Sequence, residues 1–139
     1  MRYYEYQHVV GFQETNLIGN VYYVHYLSWQ GRCREMFLHD HAPGVLDDIA
    51  GGLKLATVRV ACEYEEELFP FDRVAVRMTL GTLRPNGMTL RFTYVKVDET
   101  RETLVARGEM EIACLRGTAA APVPDELREA LRPYREAAA

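Results

Sequence analysis

A chain of 139 residues, 48% hydrophobic and 26% charged, fits one globular domain with a core of its own. Its net charge of -4 and isoelectric point near 5.6 lack the concentrated basic surface that phosphate backbones require, which excludes nucleic acid as the main partner. No apolar run is long enough to span a bilayer, and the opening MRYYEYQHVV lacks the uninterrupted apolar segment of a secretory signal, so a cytoplasmic protein without membrane contact is expected.

Tyr3 to Val10, rich in aromatic and β-branched residues, predicts a first strand. A polar turn holding Glu14, Asn16 and Gly19 follows, and from about Val21 to His39 there is no proline and only one glycine. Apolar residues there recur at helical spacing, with Tyr22, Tyr26, Trp29, Cys33 and Phe37 on one stripe and Tyr23, Leu27 and Leu38 on another. Two stripes predict a helix covered on most of its circumference. Pro43 is expected to stop it, and Gly44 to Gly52 reads as a short helical or irregular connection.

Beyond residue 52 the period changes from near 3.6 to 2. Lys54 to Leu68 is the first long strand, and after the break at Phe69 to Asp72 the run Arg73 to Leu83 alternates Val74, Val76, Met78 and Leu80 with polar residues. Pro85, Asn86 and Gly87 supply a tight turn. The next strand carries Met88, Leu90, Phe92 and Tyr94 on one face, and the last carries Leu104, Ala106, Met110, Ile112 and Cys114, which together predict an antiparallel meander. Residues 1–116 read as the folded domain. The tail 117–139 is Ala- and Pro-rich, opens a short helix at Glu126 to Leu131, and is expected to be peripheral or partly disordered. Cys33, Cys62 and Cys114 are odd in number and set among apolar residues, as buried thiols are.

One strand, a long buried helix and four long antiparallel strands is the order of an α+β fold in which a curved sheet wraps a central helix, the hot-dog arrangement. Such a sheet leaves long edges that two subunits cover by pairing, so a homodimer, or a dimer of dimers, is expected. The glycine-containing turn feeding the helix aims unpaired backbone N–H groups and the positive end of the helix dipole at one spot. A polarised carbonyl oxygen fits there, and the turn is the expected active site.

The stretch Phe12 to Glu35, FQETNLIGNVYYVHYLSWQGRCRE, resembles the active-site segment of small acyl thioesterases typified by 4-hydroxybenzoyl-CoA thioesterase. In that family an acidic turn of the form Asp-x-Asp-x-x-Gly leads into the central helix, and here it reads Glu14-Thr15-Asn16-Leu17-Ile18-Gly19. The position of the family's catalytic aspartate is Asn16, whose amide neither attacks a thioester nor accepts a proton from water near neutral pH. This asparagine variant, with Arg34 on the helix, looks like the thioesterases that accompany iterative polyketide synthases of enediyne antibiotics. The resemblance implies a polyunsaturated β-ketoacyl substrate on the phosphopantetheine of an acyl carrier domain, hydrolysis to a β-keto acid, and its decarboxylation. No cofactor of the enzyme's own is implied.

On the same resemblance the backbone N–H of Tyr23 is the oxyanion donor, Asn16 and Arg34 are the functional pair, and Thr57 lines the pocket from a partner subunit. Gly19, Tyr26, Trp29 and Glu14 are candidate substrate-binding residues, with Tyr26 gating an aromatic channel. Two alternatives stand beside this reading: an acyl-CoA thioesterase using Glu14 as its base, and a non-catalytic acyl- or carrier-binding module. Glu14 also reads as a solvated loop residue, Arg34 as half of a structural salt bridge, and Asn16 as a turn residue. His39, Asp40 and His41 are expected to be solvated rather than metal ligands, and His25 to be a surface or interface histidine. Arg59, Arg73, Arg77, Arg91 and Arg107 either dock an acidic carrier domain or line a solvated sheet face.

Overall fold

The computed structural model describes residues 2–136. Its elements run β1 (Tyr4–Val9), α1 (Val24–His41), α2 (Pro43–Ala50), β2 (Leu53–Tyr64), β3 (Arg73–Arg84), β4 (Gly87–Val97), β5 (Glu102–Arg116), β6 (Ala119–Ala120) and α3 (Asp125–Leu131), with 3-10 turns at Phe12–Glu14 and Arg132–Tyr134. The sheet order is β1-β3-β4-β5-β2, every pair antiparallel, with β6 beside the end of β5. This is the α+β hot-dog arrangement. Only β3, β4 and β5 form a meander; β2 lies beside β5 at the far edge, and β1 beside β3, because α1 and α2 carry the chain from one edge of the sheet to the other.

The period-2 alternation sets the core. Val74, Val76, Met78 and Leu80 on β3, Leu90, Phe92 and Tyr94 on β4, and Met110, Ile112 and Cys114 on β5 are all buried, packed on Tyr26, Trp29, Cys33 and Phe37 of α1. The β3–β4 hairpin closes with Arg84 opposite Gly87, and a Cβ at Gly87 would stand 2.4 Å from the Ile112 carbonyl oxygen, so only glycine fits there. On the outer face Arg77 pairs with Glu5 and Glu102, Arg59 and Arg91 share Glu109, Arg91 reaches Glu136, and Arg107 takes Glu65. Four of the five alternating arginines are thus engaged by carboxylates, which leaves little free positive charge on this face for an acidic partner.

α1 begins at Val24 rather than Val21, because the Val21 and Tyr22 N–H groups are spent on the carbonyls of Leu68 and Glu14. Its inner stripe is buried from Tyr26 to Phe37, but Tyr22 and Tyr23 stay 44% and 55% exposed and Leu27 is half-buried. The second stripe is therefore only partly covered within one protomer. Pro43 does more than stop the helix, since it occupies the first turn of α2, where its missing N–H costs nothing.

The tail is not peripheral over the described residues. Ala121, Val123, Leu127, Leu131 and Tyr134 are buried in the common core, Arg128 donates to the carbonyls of Arg84 and Pro85, and Glu126 accepts the Gly44 N–H of α2. Leucines four apart, Leu127 and Leu131, give α3 an apolar face that anchors it. Cys33 and Cys114 are buried and Cys62 is half-buried, all as free thiols. Burial pushes the Cys33 thiol far above its ordinary range, which makes it an inert packing group. No helix among the described residues is long and apolar enough to cross a membrane.

Candidate active site

The turn before α1 is shaped by local hydrogen bonds. Asn16 N–H donates to the Asn20 carbonyl at 2.9 Å and Gly19 N–H to the Asn16 carbonyl at 3.0 Å, which closes the loop, and Gly19 takes φ +94°, a conformation that L side chains rarely adopt. The Asn16 side chain accepts the Ile18 N–H at 2.9 Å through Oδ1. A backbone N–H is always a donor, so this contact fixes the amide orientation and leaves the Asn16 NH₂ as the outward group. Asn16 is a turn residue, and it offers donors where a family carboxylate would offer acceptors.

The N–H groups of Tyr23 and Val24 have no hydrogen-bond partner among the described residues, whereas those of Tyr22 and His25 on either side are bonded. The Tyr22 carbonyl, which shares its peptide with the Tyr23 N–H, accepts the His25 N–H at 3.0 Å and so fixes that peptide, while Tyr64 Oη donates to the Tyr23 carbonyl at 3.0 Å with its ring edge-on to that of Tyr23. The geometry suits an oxyanion donor.

Glu14 is the main correction to the sequence reading. It is 8% exposed, and its carboxylate takes the indole N–H of Trp29 at 2.8 Å, the N–H of Gly11 at 2.9 Å and His8 Nε2 at 2.7 Å. Burial alone would raise its pKa, but the Gly11 N–H, His8 and Trp29 outweigh burial and hold the carboxyl below its ordinary value. A carboxylate this buried, with both oxygens engaged, is not a solvated loop residue. Trp29, 3% exposed and donating to Glu14 with its ring against His8 at 4.8 Å, is part of this tie. The tie joins β1, the turn and α1, and so sets where Asn16 and Tyr23 stand.

Tyr26 is 3% exposed and packed on Tyr64, Trp29 and Tyr94, whose hydroxyl donates to the Tyr26 carbonyl at 2.6 Å. Burial pushes its phenol up to about 12. In this conformation it is closed inside the aromatic cluster.

Arg34 makes no salt bridge among the described residues; Nη1 reaches only Thr57 Oγ1 at 3.4 Å and Met110 Sδ at 3.6 Å. Glu35, its neighbour in sequence, is taken by Arg32 at 2.7 Å. Burial depresses the Arg34 guanidinium's pKa, Glu35 partly offsetting it. No salt bridge holds it among the described residues of one protomer, where Thr57 meets it. Asn16 and Arg34 are not brought together there: eleven residues of helix separate Tyr23 from Arg34, about 16 Å along the axis. Glu67 is the residue that sequence reasoning missed. Its carboxylate lies 3.4 Å from the Asn20 amide beside the turn, placed there by the Val21 to Leu68 backbone bond, and no local pattern connects positions 47 apart.

Of the remaining polar groups, Asp40 accepts the Tyr4 hydroxyl at 2.6 Å and His39 Nδ1 at 3.1 Å, while His41 packs against the Tyr4, Phe37 and Tyr134 rings. His25 is half-buried beside Tyr22.

The family model described as thioesterase-like superfamily matches residues 10–131, a span that holds the turn, α1 and the whole meander. The chain belongs to the thioesterase-like superfamily. Among solved structures, the dynemicin thioesterase, described for induced-fit and allosteric effects upon polyene binding, is 47% identical with TM-score 0.95, covering 99% of this chain and 100% of that one. A hypothetical protein from Aquifex aeolicus is 25% identical with TM-score 0.81, covering 91% and 98%. A 1,4-dihydroxy-2-naphthoyl-CoA thioesterase from Synechocystis, 18% identical with TM-score 0.82 over 94% and 96%, shares the fold. No curated protein sequence matches significantly.

The protein is a thioester hydrolase. A thioesterase must hold the carbonyl oxygen as it becomes an oxyanion and must supply water to the carbonyl carbon. The unpaired Tyr23 N–H is a donor of the kind the first need calls for. At Asn16 the turn carries an amide, which is no base, and the Glu14 carboxylate is engaged by His8, Gly11 and Trp29.

Proposed function

We propose that this thioesterase releases a polyunsaturated β-ketoacyl chain from the phosphopantetheine arm of an acyl carrier domain of an iterative, enediyne-type polyketide synthase, and that the β-keto acid then loses carbon dioxide to give a polyene or methyl ketone. The observation that carries this reading is the full-length, 47% identity to a thioesterase described as binding a polyene. The Asn16 amide and the unpaired Arg34 guanidinium agree with it, since both offer donors to a substrate rich in carbonyl oxygens.

The site forms between two copies. β2 is an edge strand with Val58 64% and Val60 38% exposed, and among the described residues its outer edge has no strand beside it. Antiparallel pairing of two β2 edges about their middle brings the Tyr64 end of one strand, which carries Tyr23, to the Leu53 end of the other, beside Arg34. Asn16 and Tyr23 of one copy then face Arg34 of the other, and the pair that one protomer separates is assembled.

In the reaction the thioester oxygen takes the Tyr23 N–H, a donor worth roughly 3 kcal/mol in the transition state. The Asn16 NH₂ holds a carbonyl or water oxygen, and Arg34 takes the β-keto oxygen and the carboxylate that forms. Without a general base the rate falls by about 10²–10⁴ relative to a carboxylate-assisted enzyme, so turnover is slow and substrate delivery on a carrier domain compensates.

The test loads the cognate carrier domain with its polyene and follows release by mass spectrometry for wild type, Asn16→Ala, Arg34→Ala and Glu67→Gln. Release that is lost in the first two folded variants and kept within a few-fold in Glu67→Gln supports the reading. Loss in Glu67→Gln alone would make Glu67 a displaced base and overturn the base-free mechanism.

A further inference from the structure

A groove of about 530 Å³ runs between the second half of α1, the length of α2 and the first residues of β2. Leu38 of α1, Leu46 and Ile49 of α2, and Leu53 and Leu55 of β2 form its apolar walls, and Arg34 stands among them. The volume lies within the usual range for a small-molecule site. Ile49 is 38% exposed, although nothing about α2's own helix requires a large aliphatic side chain at its outer end.

The charges bordering the groove do not balance. Arg34 has no carboxylate within salt-bridge distance among the described residues; Glu35, the only acid lining the groove, is held by Arg32, and Lys54 adds a second positive charge. A half-buried guanidinium without a counter-charge, beside an aliphatic trough, is complementary to a molecule with an anionic or strongly polar oxygen at one end and a long apolar tail. Water alone satisfies the cation but leaves the aliphatic walls wet.

We infer that this groove receives the tail of the acyl chain, with Arg34 on its oxygenated end, and that Leu46 and Ile49 of α2 set the length of chain accepted. The inference rests on the thioesterase reading above and adds the location of the tail. It also gives α2 a role: the helix is the outer wall of the acyl site. Glu126 of α3 accepts the Gly44 N–H at 3.0 Å, so the buried C-terminal segment buttresses that wall.

The experiment uses the intact protein and parinaric acid, a long-chain conjugated tetraene carboxylate whose fluorescence rises when it leaves water. Wild type, Ile49→Trp and Leu46→Trp are titrated with the acid and with its methyl ester, after circular dichroism has established that each variant is folded. The expected result is at least tenfold weaker binding of the acid to Ile49→Trp, and weaker binding of the ester than of the acid to wild type. Equal affinity of wild type and both folded variants would place the tail elsewhere and overturn the inference. In parallel, β-ketoacyl N-acetylcysteamine thioesters of short and long chain are hydrolysed by wild type and Ile49→Trp, and the long-to-short ratio is expected to fall at least tenfold in the variant. Because acid binding is read without turnover, groove-dependent binding with no hydrolysis by wild type sinks the thioesterase reading alone. Groove-independent binding with normal hydrolysis sinks the groove alone.

Discussion

Glu14 carries more of the site's geometry than any other side chain, because three donors from three segments converge on one carboxylate. Replacing it by Gln turns one acceptor oxygen into an NH₂ that faces a donor, and a loss of about 1–3 kcal/mol is expected from a buried group left unsatisfied. The sign with pH follows from the depressed carboxyl pKa. The stabilisation is complete above the ordinary value of 4.5 and is lost as pH falls below it through the folded-state pKa. Thermal melts of wild type and Glu14→Gln should therefore differ most near neutrality and converge in acid; a gap that stays constant down to pH 3 would contradict this. At Asn16 the opposite change is informative. Asn16→Asp keeps an oxygen for the Ile18 N–H and restores a carboxylate at the family position, so hydrolysis of simple acyl-CoA esters should rise, by up to about 10². A steady-state assay that finds no gain would mean that the turn does not present this residue to the thioester.

At the scale of the element, β2 was legible as a strand but its exposure was not. Its alternation is weak, Val58 lies at a register shift between Thr57 and Arg59, and a run of four residues there is exposed. A long edge strand with outward valines is a pairing surface, so Val58→Lys should convert dimers to monomers in light scattering and abolish release with little change in the protomer's circular dichroism. Persistence of the dimer in that variant would move the interface away from β2. α1 teaches a related lesson. Its period predicted two apolar stripes, and the structure buries them unevenly: Tyr26 to Phe37 of one and Leu38 of the other are inside, while Tyr22 and Tyr23 are exposed and Leu27 is half-buried within one protomer. The period of a helix identifies its apolar faces and says nothing about which chain covers them.

Across the whole molecule, the division between a domain and a loose tail meets a core that runs through both. Removing residues 117–139 strips Val123, Leu127 and Leu131 from the core, each worth about 1.5–3 kcal/mol. That sum rivals the entire stability of a typical domain, so the truncated chain should melt near or below room temperature. The two-copy site has its own test. Asn16→Ala and Arg34→Ala protomers, each inactive alone, should regain activity when unfolded together and refolded, because a mixed dimer holds one site with both residues intact. Random pairing predicts about a quarter of wild-type activity. No recovery would place both residues of each site in one chain, which the 16 Å of intervening helix opposes.

What the sequence determined by itself is what local periodicity and backbone chemistry carry: the strand–helix–strands order, the turn at Gly19 whose φ demands glycine, and the free donors at the start of α1. The segment from Phe12 to Glu35 also carried the family, since its spacing of Asn16, Gly19 and the aromatic helix residues is local. The tertiary structure alone decided the rest, because it depends on groups far apart in the chain. It turned Glu14 from a loop acid into a buried tie through His8 and Trp29, brought Glu67 to the turn, and left Arg34 without a carboxylate among the described residues. It also seated the tail in the core and placed β2 at the open edge. A charge's role is set by the partners that surround it in space, and those partners cannot be counted until the chain is folded.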